Sequence, residues 1–153
     1  MGNENIRVVT TNRKARHEYQ IIDSYEAGIV LLGTEVKSIR DGKVNLSDSY
    51  ARFRKGELWL IGLHISPYTQ SAIENHDPLR SRKLLLNSRE LRKLFRQVEE
   101  KGVTLIPLKV YFKGHLIKIE LGLGRGKRKY DKRAAIAEKD QKRDLERQRK
   151  MNF

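Results

Sequence analysis

The chain has 153 residues, no cysteine and a formal net charge of +14. That length suits one domain with a full core, the missing thiols exclude disulfides and thiolate metal sites and fit a reducing compartment, and the charge asks for an anionic partner. The amino-terminal residues lack the apolar run of a signal peptide and the residue pattern for myristoylation, no stretch approaches a membrane span, and no basic segment carries the apolar face a membrane surface needs, so a soluble cytoplasmic protein that meets nucleic acid and not membrane is expected.

Residues 1–11 are expected to be a flexible terminus. Residues 12–19, NRKARHEY, place Arg13, Lys14, Arg16 and His17 within five positions, which reads either as a solvated surface turn or as a phosphate contact. In residues 19–32 the apolar Ile21, Ile22, Tyr25 and Ile29 to Leu32 are interrupted by Glu26-Ala27-Gly28, a pattern for two short strands joined by a bend. Glu26 would serve there simply as a solvated turn acid. Residues 33–42 predict a short helix with Thr34 as cap, Val36 and Ile39 facing inward and Gly42 as terminator.

Two hairpins follow one plan. Residues 47–54 alternate in polarity, Lys55-Gly56 turns the chain, and residues 58–65 are apolar on both faces, as a central strand would be. Residues 103–112 and 116–123 form the other pair around Lys113-Gly114, and Pro107, which has no N–H to donate, demands an edge or a bulge. Residues 67–82, between the hairpins, read as an irregular loop. The clearest helix begins at the cap Asn87 with Glu90 three residues on, carries Leu91, Leu94, Phe95 and Val98 as a core stripe, and ends at Gly102.

Residues 124–153 hold twelve Lys or Arg against five Asp or Glu, half of the chain's net charge. Ile136 and Leu145, nine apart, fall on opposite faces of a helix, so burial cannot offset the entropy of ordering this stretch. It is predicted to be disordered when free and helical where phosphates neutralise its charge, the alternative being a solvated terminus with no partner. Gly122, Gly124 and Gly126 read as a flexible joint that releases this tail. The predicted fold is therefore mainly β with helices: a small closed β-barrel of about six strands, oligonucleotide-binding-like, with two or three flanking helices, over residues 12–123.

Catalytic signals are missing. His17, His64, His76 and His115 have no metal-ligand spacing, Gly126-Lys127 is not followed by Ser or Thr as a phosphate loop requires, and Asp77 and Asp131 are lone acids, so neither metal, cofactor nor enzymatic activity is expected.

NRKARHEY at 12–19, EAG at 26–28, GTEVKS at 33–38, NLSDSY at 45–50, RKLLLN at 82–87 and GKRKYDKR at 126–133 occur in order, and together they resemble the small protein B family of bacterial trans-translation. The resemblance runs from about residue 12 to 136; beyond that only composition matches. It implies a non-catalytic protein that binds the tRNA-like domain of tmRNA (SsrA RNA), replaces the missing anticodon arm and delivers the RNA to the vacant A site of a stalled ribosome. By position it assigns tmRNA binding to Asn12, Glu26 and Leu85, with Arg13, Lys14, Arg16, His17, Tyr19 and Tyr50 around them. Ribosome binding, at the decoding centre and messenger channel, falls to Gly126, Lys127, Arg128, Tyr130, Asp131, Lys132 and Arg133. Tyr130 stands where some members have His: stacking survives that change, a role for a protonated imidazole does not. The free protein is expected to be a monomer. A basic structural or assembly protein of the ribosome is the alternative.

Overall fold

The computed structural model describes residues 5–70, 74–100 and 102–127. Its longest unit is the hairpin of β8 (Val103–Lys113) and β9 (Leu116–Gly126), turned at Gly114, which has a positive φ of 62°. Pro107 sits opposite Leu121 and Lys109 opposite Glu120, leaving Leu108 as an extra residue, the bulge that a proline within a strand calls for. The bulge changes the phase of the strand. Leu105 faces the interior before it, whereas Val110 and Phe112 do so after it, an interval that strict alternation would forbid.

Around this hairpin runs a ring. The strand β2 (Tyr19–Ile29) pairs with β9, and β7 (Arg82–Leu85) pairs with β2 at Gly28 and Ile29. β5 (Glu57–Ile61) follows on β7, β4 (Tyr50–Arg54) on β5, and β4 returns to β8 through Ala51 and Leu105. All six strands are antiparallel to their neighbours, and the ring closes as the expected small barrel does. The β4–β5 turn is the predicted Lys55-Gly56, both residues at positive φ, 51° and 78°. β3 (Val44–Asn45) and β6 (His64–Ile65) form a separate two-stranded ladder. Inside the ring lie Leu58, Leu60, Leu84, Ile119 and Leu121, joined by Ile39 from α2 (Gly33–Arg40) and Leu94 from α3 (Ser88–Val98).

Five expectations need correction. Residues 58–65, expected as one strand, divide at Gly62, whose φ is 80°: β5 ends at Ile61 and β6 joins the separate ladder. Residues 6–11, expected to be loose, form β1 (Ile6–Thr11), which pairs with the stretch of β8 beyond the bulge because that edge is left open where β4 ends. Residues 19–29 are one strand instead of two, since an extra residue at Ile22 absorbs the irregularity without breaking the pairing to β9. Thr34 does not cap α2; the helix starts behind Leu32, whose N–H donates to the Glu35 carboxylate at 2.7 Å, and Thr34 Oγ1 instead meets His76 Nδ1 at 2.9 Å. Gly122 and Gly124 are no joint. Both are buried within β9, where a Cβ on Gly122 would lie 2.7 Å from Leu108 Cδ1 and one on Gly124 3.1 Å from Tyr19 Cβ. They are glycine because the bulged Leu108 fills the space over Gly122, and Tyr19, Ile21 and Ile106 fill it over Gly124.

The irregular loop before β7 is tied down by a buried ion pair. Glu35 and Arg82 are both fully buried; Arg82 Nε donates to one Glu35 oxygen, Arg80 Nη2 to the other at 2.5 Å, and Arg82 Nη1 to the Leu63 carbonyl at 2.7 Å. Burial alone would raise the Glu35 carboxyl, but the donors from Arg80, Leu32 and Arg82 outweigh it and hold it below the usual carboxylate range. Breaking such a pair leaves an uncompensated buried charge, which costs about 3–5 kcal/mol.

Gly122→Ala is expected to lower unfolding stability by about 1–3 kcal/mol, because the added methyl meets the whole Leu108 fork within a packed layer. Denaturant titration of the full chain measures this; a stability equal to the parent's would mean the layer repacks freely.

Candidate nucleic-acid interface

The outer face of the β8–β9 hairpin is where the marked residues gather. α1 (Arg13–Glu18) is seated directly over the bulge. Asn12 does the seating: its Oδ1 accepts from the Ala15 N–H at 3.1 Å, its Nδ2 donates to the carbonyls of Pro107 at 2.9 Å and Leu46 at 3.4 Å, and its backbone N–H donates to the Leu108 carbonyl at 2.7 Å. The bulge turns those strand carbonyls away from a ladder partner, and Asn12 supplies the donors they need. Ala15 then packs onto Ile106 and Leu108, with Tyr19 and Ile21 at the margin.

With Ala15 pointing down, Arg13, Lys14, Arg16 and His17 are left exposed on one short helix. Lys14 meets Asp48 at 2.8 Å in full solvent, and that carboxylate raises the ammonium's pKa. A groove of about 240 Å³ runs beside the helix, lined by Asn12, Lys14, Tyr19, Asp48 and Tyr50 among others. Tyr50 is 40% exposed, so its ring is free to stack.

Glu26 and Leu85 lie further along the same outer surface. Antiparallel pairing sets Glu26 directly opposite Glu120, two like charges on adjacent strands. Five neighbours compensate. Glu120 meets Arg16 of α1 at 3.4 Å and Lys109 at 3.5 Å, while Glu26 accepts from the Tyr111 hydroxyl and from Lys113 at 3.1 Å and feels Lys118. The Tyr111 hydrogen bond, opposed by partial burial and helped by Lys113, holds the Glu26 carboxyl below its usual range; burial first and then Glu26 push the Tyr111 phenol upward. Two residues on, Gly28 pairs with Leu85, which is 47% exposed. The result is one strip, from Leu85 across β2 and β9 to Arg16 and the helix: an apolar side chain, a fixed anionic acceptor, a row of cations and an open aromatic ring.

The marked residues thus divide. Arg13, Lys14, Arg16, His17, Tyr19, Glu26, Tyr50 and Leu85 present surface to this strip or its groove. Asn12 differs from the rest: at 5% exposure its side chain is engaged by the bulge and the helix cap, and it positions α1. Gly126 ends β9 opposite Tyr19, and Lys127 is exposed beside it. Arg128, Tyr130, Asp131, Lys132 and Arg133, with the predicted tail helix, lie outside the described residues. Sequence reasoning missed Tyr111 and Lys113, whose outward phase follows only once the bulge is counted, and Glu120, which plain alternation with Ile119 and Leu121 turns outward.

A strongly basic closed sheet whose outer strip combines cations, an exposed aromatic ring and a held acceptor defines a nucleic-acid-binding protein of the small β-ring class. Comparison with known proteins narrows the class: the SmpB protein family's sequence profile matches residues 9–151. The chain belongs to that family. It is 58% identical over 147 residues to the SsrA-binding protein of Desulfitobacterium hafniense (strain DSM 10664 / DCB-2), covering 96% of this chain and 94% of that one. To the SsrA-binding protein of Acetivibrio thermocellus it is 57% identical over 153 residues, covering 100% and 99%. A solved chain from "tmRNA-SmpB: a journey to the center of the bacterial ribosome" superposes with a TM-score of 0.65 at 56% identity, over 77% of this chain and 83% of that one.

Asn12→Ala is expected to cost about 1–3 kcal/mol of stability, since it removes a helix cap and orphans the Pro107 carbonyl. Thermal unfolding, with backbone NMR shifts of residues 13–18 moving together, is the check; unmoved shifts would return Asn12 to the contact surface. Tyr111→Phe is expected to raise the titration midpoint of Glu26 towards the ordinary 4.5. A carboxyl depressed by folding stabilises the fold above its unfolded pKa and loses that contribution as pH falls through its folded value, so the parent should resist acid further than the variant. Carbon-detected titration of Glu26 reads the midpoint directly.

Proposed function

We propose that this protein binds tmRNA (SsrA RNA) through its tRNA-like domain and brings it to the vacant A site of stalled ribosomes for rescue and peptide tagging. The observation that carries the reading is the strip joining α1 to Glu26 and Leu85, on a chain that matches SsrA-binding proteins end to end. Its chemistry suits a folded RNA. Arg13, Lys14, Arg16 and His17 hold phosphates, which sets position and gives affinity; Tyr50 stacks on an unpaired base. Glu26, kept ionised by Tyr111 and Lys113, accepts from a base amino group or a 2′-hydroxyl and repels any phosphate that arrives in the wrong register.

The protein stands in for the missing anticodon arm, so its action is adaptor binding and not catalysis, in the cytoplasm, as a monomer before it meets RNA. Among the described residues no helix is long and apolar enough to cross a membrane. Gly126, Lys127, Arg128, Tyr130, Asp131, Lys132 and Arg133 engage the decoding centre and messenger channel, where the tail becomes helical on ribosomal RNA. Because β9 runs to Gly126, the working boundary between body and tail is Lys127 and not Gly124.

Ending the chain after Lys127 is expected to leave affinity for a tRNA-like tmRNA fragment within about threefold while abolishing tagging on stalled ribosomes; equal loss of both would contradict the division. Glu26→Ala in the full chain should weaken fragment binding by about 1–3 kcal/mol, measured by filter binding at fixed salt, with the fold intact. Unchanged affinity would remove Glu26 from the interface.

A further inference from the structure

The stripe of α3 is only partly core. Leu94 is fully buried, but Phe95 is 46% exposed, its ring edge-on to Phe53 with centroids 5.1 Å apart. Between α3 and the β4–β5 turn opens a groove of about 410 Å³ lined by Phe53, Gly56, Leu91, Arg92, Phe95 and Arg96. Its floor is apolar and its rim is cationic. Arg92 and Arg96 stand four apart on one helix face, a like-charge pair that weakens a helix unless an anion lies between them. Among the described residues Arg92 reaches only the Ser88 carbonyl, at 3.3 Å, and no carboxylate comes within 4.0 Å of Arg92 or Arg96. The Phe95 ring packs on Phe53 on one side, and its other side stays open beside guanidinium groups that have no carboxylate partner among the described residues.

We infer that this groove is a second RNA contact, which takes an unpaired nucleotide of ribosomal RNA: the base stacks against Phe95 over Leu91, and its flanking phosphates sit between Arg92 and Arg96. A planar apolar floor with a bidentate cationic rim matches a base and its backbone. An acidic peptide would satisfy the rim but not the flat aromatic floor. The occupant is assigned to the ribosome because none of the lining residues belongs to the α1 groove or to the Glu26 strip, which the proposed function gives to tmRNA. The inference rests on that reading. It adds a purchase on the ribosome that belongs to the folded body and is independent of residues 128–153.

The test uses the full chain bound to tmRNA, titrated onto purified ribosomes whose messenger ends in the P site, with a tRNA-like tmRNA fragment titrated in parallel. Phe95→Leu, which stays apolar but cannot stack, is expected to weaken ribosome binding about tenfold, and Phe95→Trp to bind as well as the parent. Arg92→Gln with Arg96→Gln should flatten the salt dependence of ribosome binding by about one to two counterions. Every variant should bind the tmRNA fragment within about twofold of the parent. Full ribosome affinity in Phe95→Leu overturns the inference, as it would mean that an apolar protein surface or nothing fills the groove. Equal weakening in Phe95→Trp also overturns it. Parallel loss of fragment binding would transfer the groove to tmRNA, and melting curves separate all of these from a misfolded variant, for which the surface arginine pair remains the deciding test. Failure of the proposed function reads differently: there the Glu26→Ala chain keeps its fragment affinity, whatever the groove variants do.

Discussion

The bulge at Leu108 is the constraint from which most of this molecule follows. A proline at 107 cannot donate to the ladder, so the strand must yield there, and it yields by inserting one residue. That single insertion moves the inward phase from Leu105 to Val110, which puts Val110 and Phe112 into the interior and turns Lys109, Tyr111 and Lys113 outward. It also frees two carbonyls for Asn12, and Asn12 in turn starts α1 over the gap. The charged helix, the acceptor held by Tyr111 and the glycines of β9 are consequences of one backbone irregularity. Without the extra residue Tyr111 would point into the barrel, and Glu26 would face Glu120 with no hydroxyl to steady it.

A surface meant only to attract polyanion would have no reason to keep Glu26 and Glu120 side by side. Two adjacent carboxylates on neighbouring strands repel, and here the repulsion is offset by Arg16, Lys109, Lys113 and the Tyr111 hydroxyl. The arrangement stores selectivity. Under the proposed function, cations on α1 would hold any phosphate backbone, whereas an acid ringed by donors would accept only from a ligand that brings a further donor to a fixed place, so the strip would discriminate by geometry where net charge cannot.

Much of the architecture was legible in the sequence because its signals are local. The Lys55-Gly56 turn, the Asn87–Glu90 helix start and the consequence of Pro107 each depend on a few contiguous residues with one physical meaning. What was not legible depends on residues far apart in the chain. Residues 6–11 look loose until one knows that β4 leaves the far half of β8 open, and Gly122 looks like a hinge until Leu108 is known to lie across it. The Glu35–Arg82 pair joins positions 47 apart, and only its Glu35 end, an acid in a helix's first turn, carried a local mark. For the site, motif resemblance brought out Asn12, Glu26 and Leu85 but could not separate a residue that touches a ligand from one that holds up the helix that does. That Asn12 holds up α1 became visible only in its hydrogen bonds.

Gly126 is paired with Tyr19, the residue directly after α1, so the carboxyl end of β9 is held within one strand spacing of the helix that carries Arg13, Lys14, Arg16 and His17. That helix is itself seated on the bulge by Asn12, so the last register of β2 against β9 and the placement of the charged helix depend on one another.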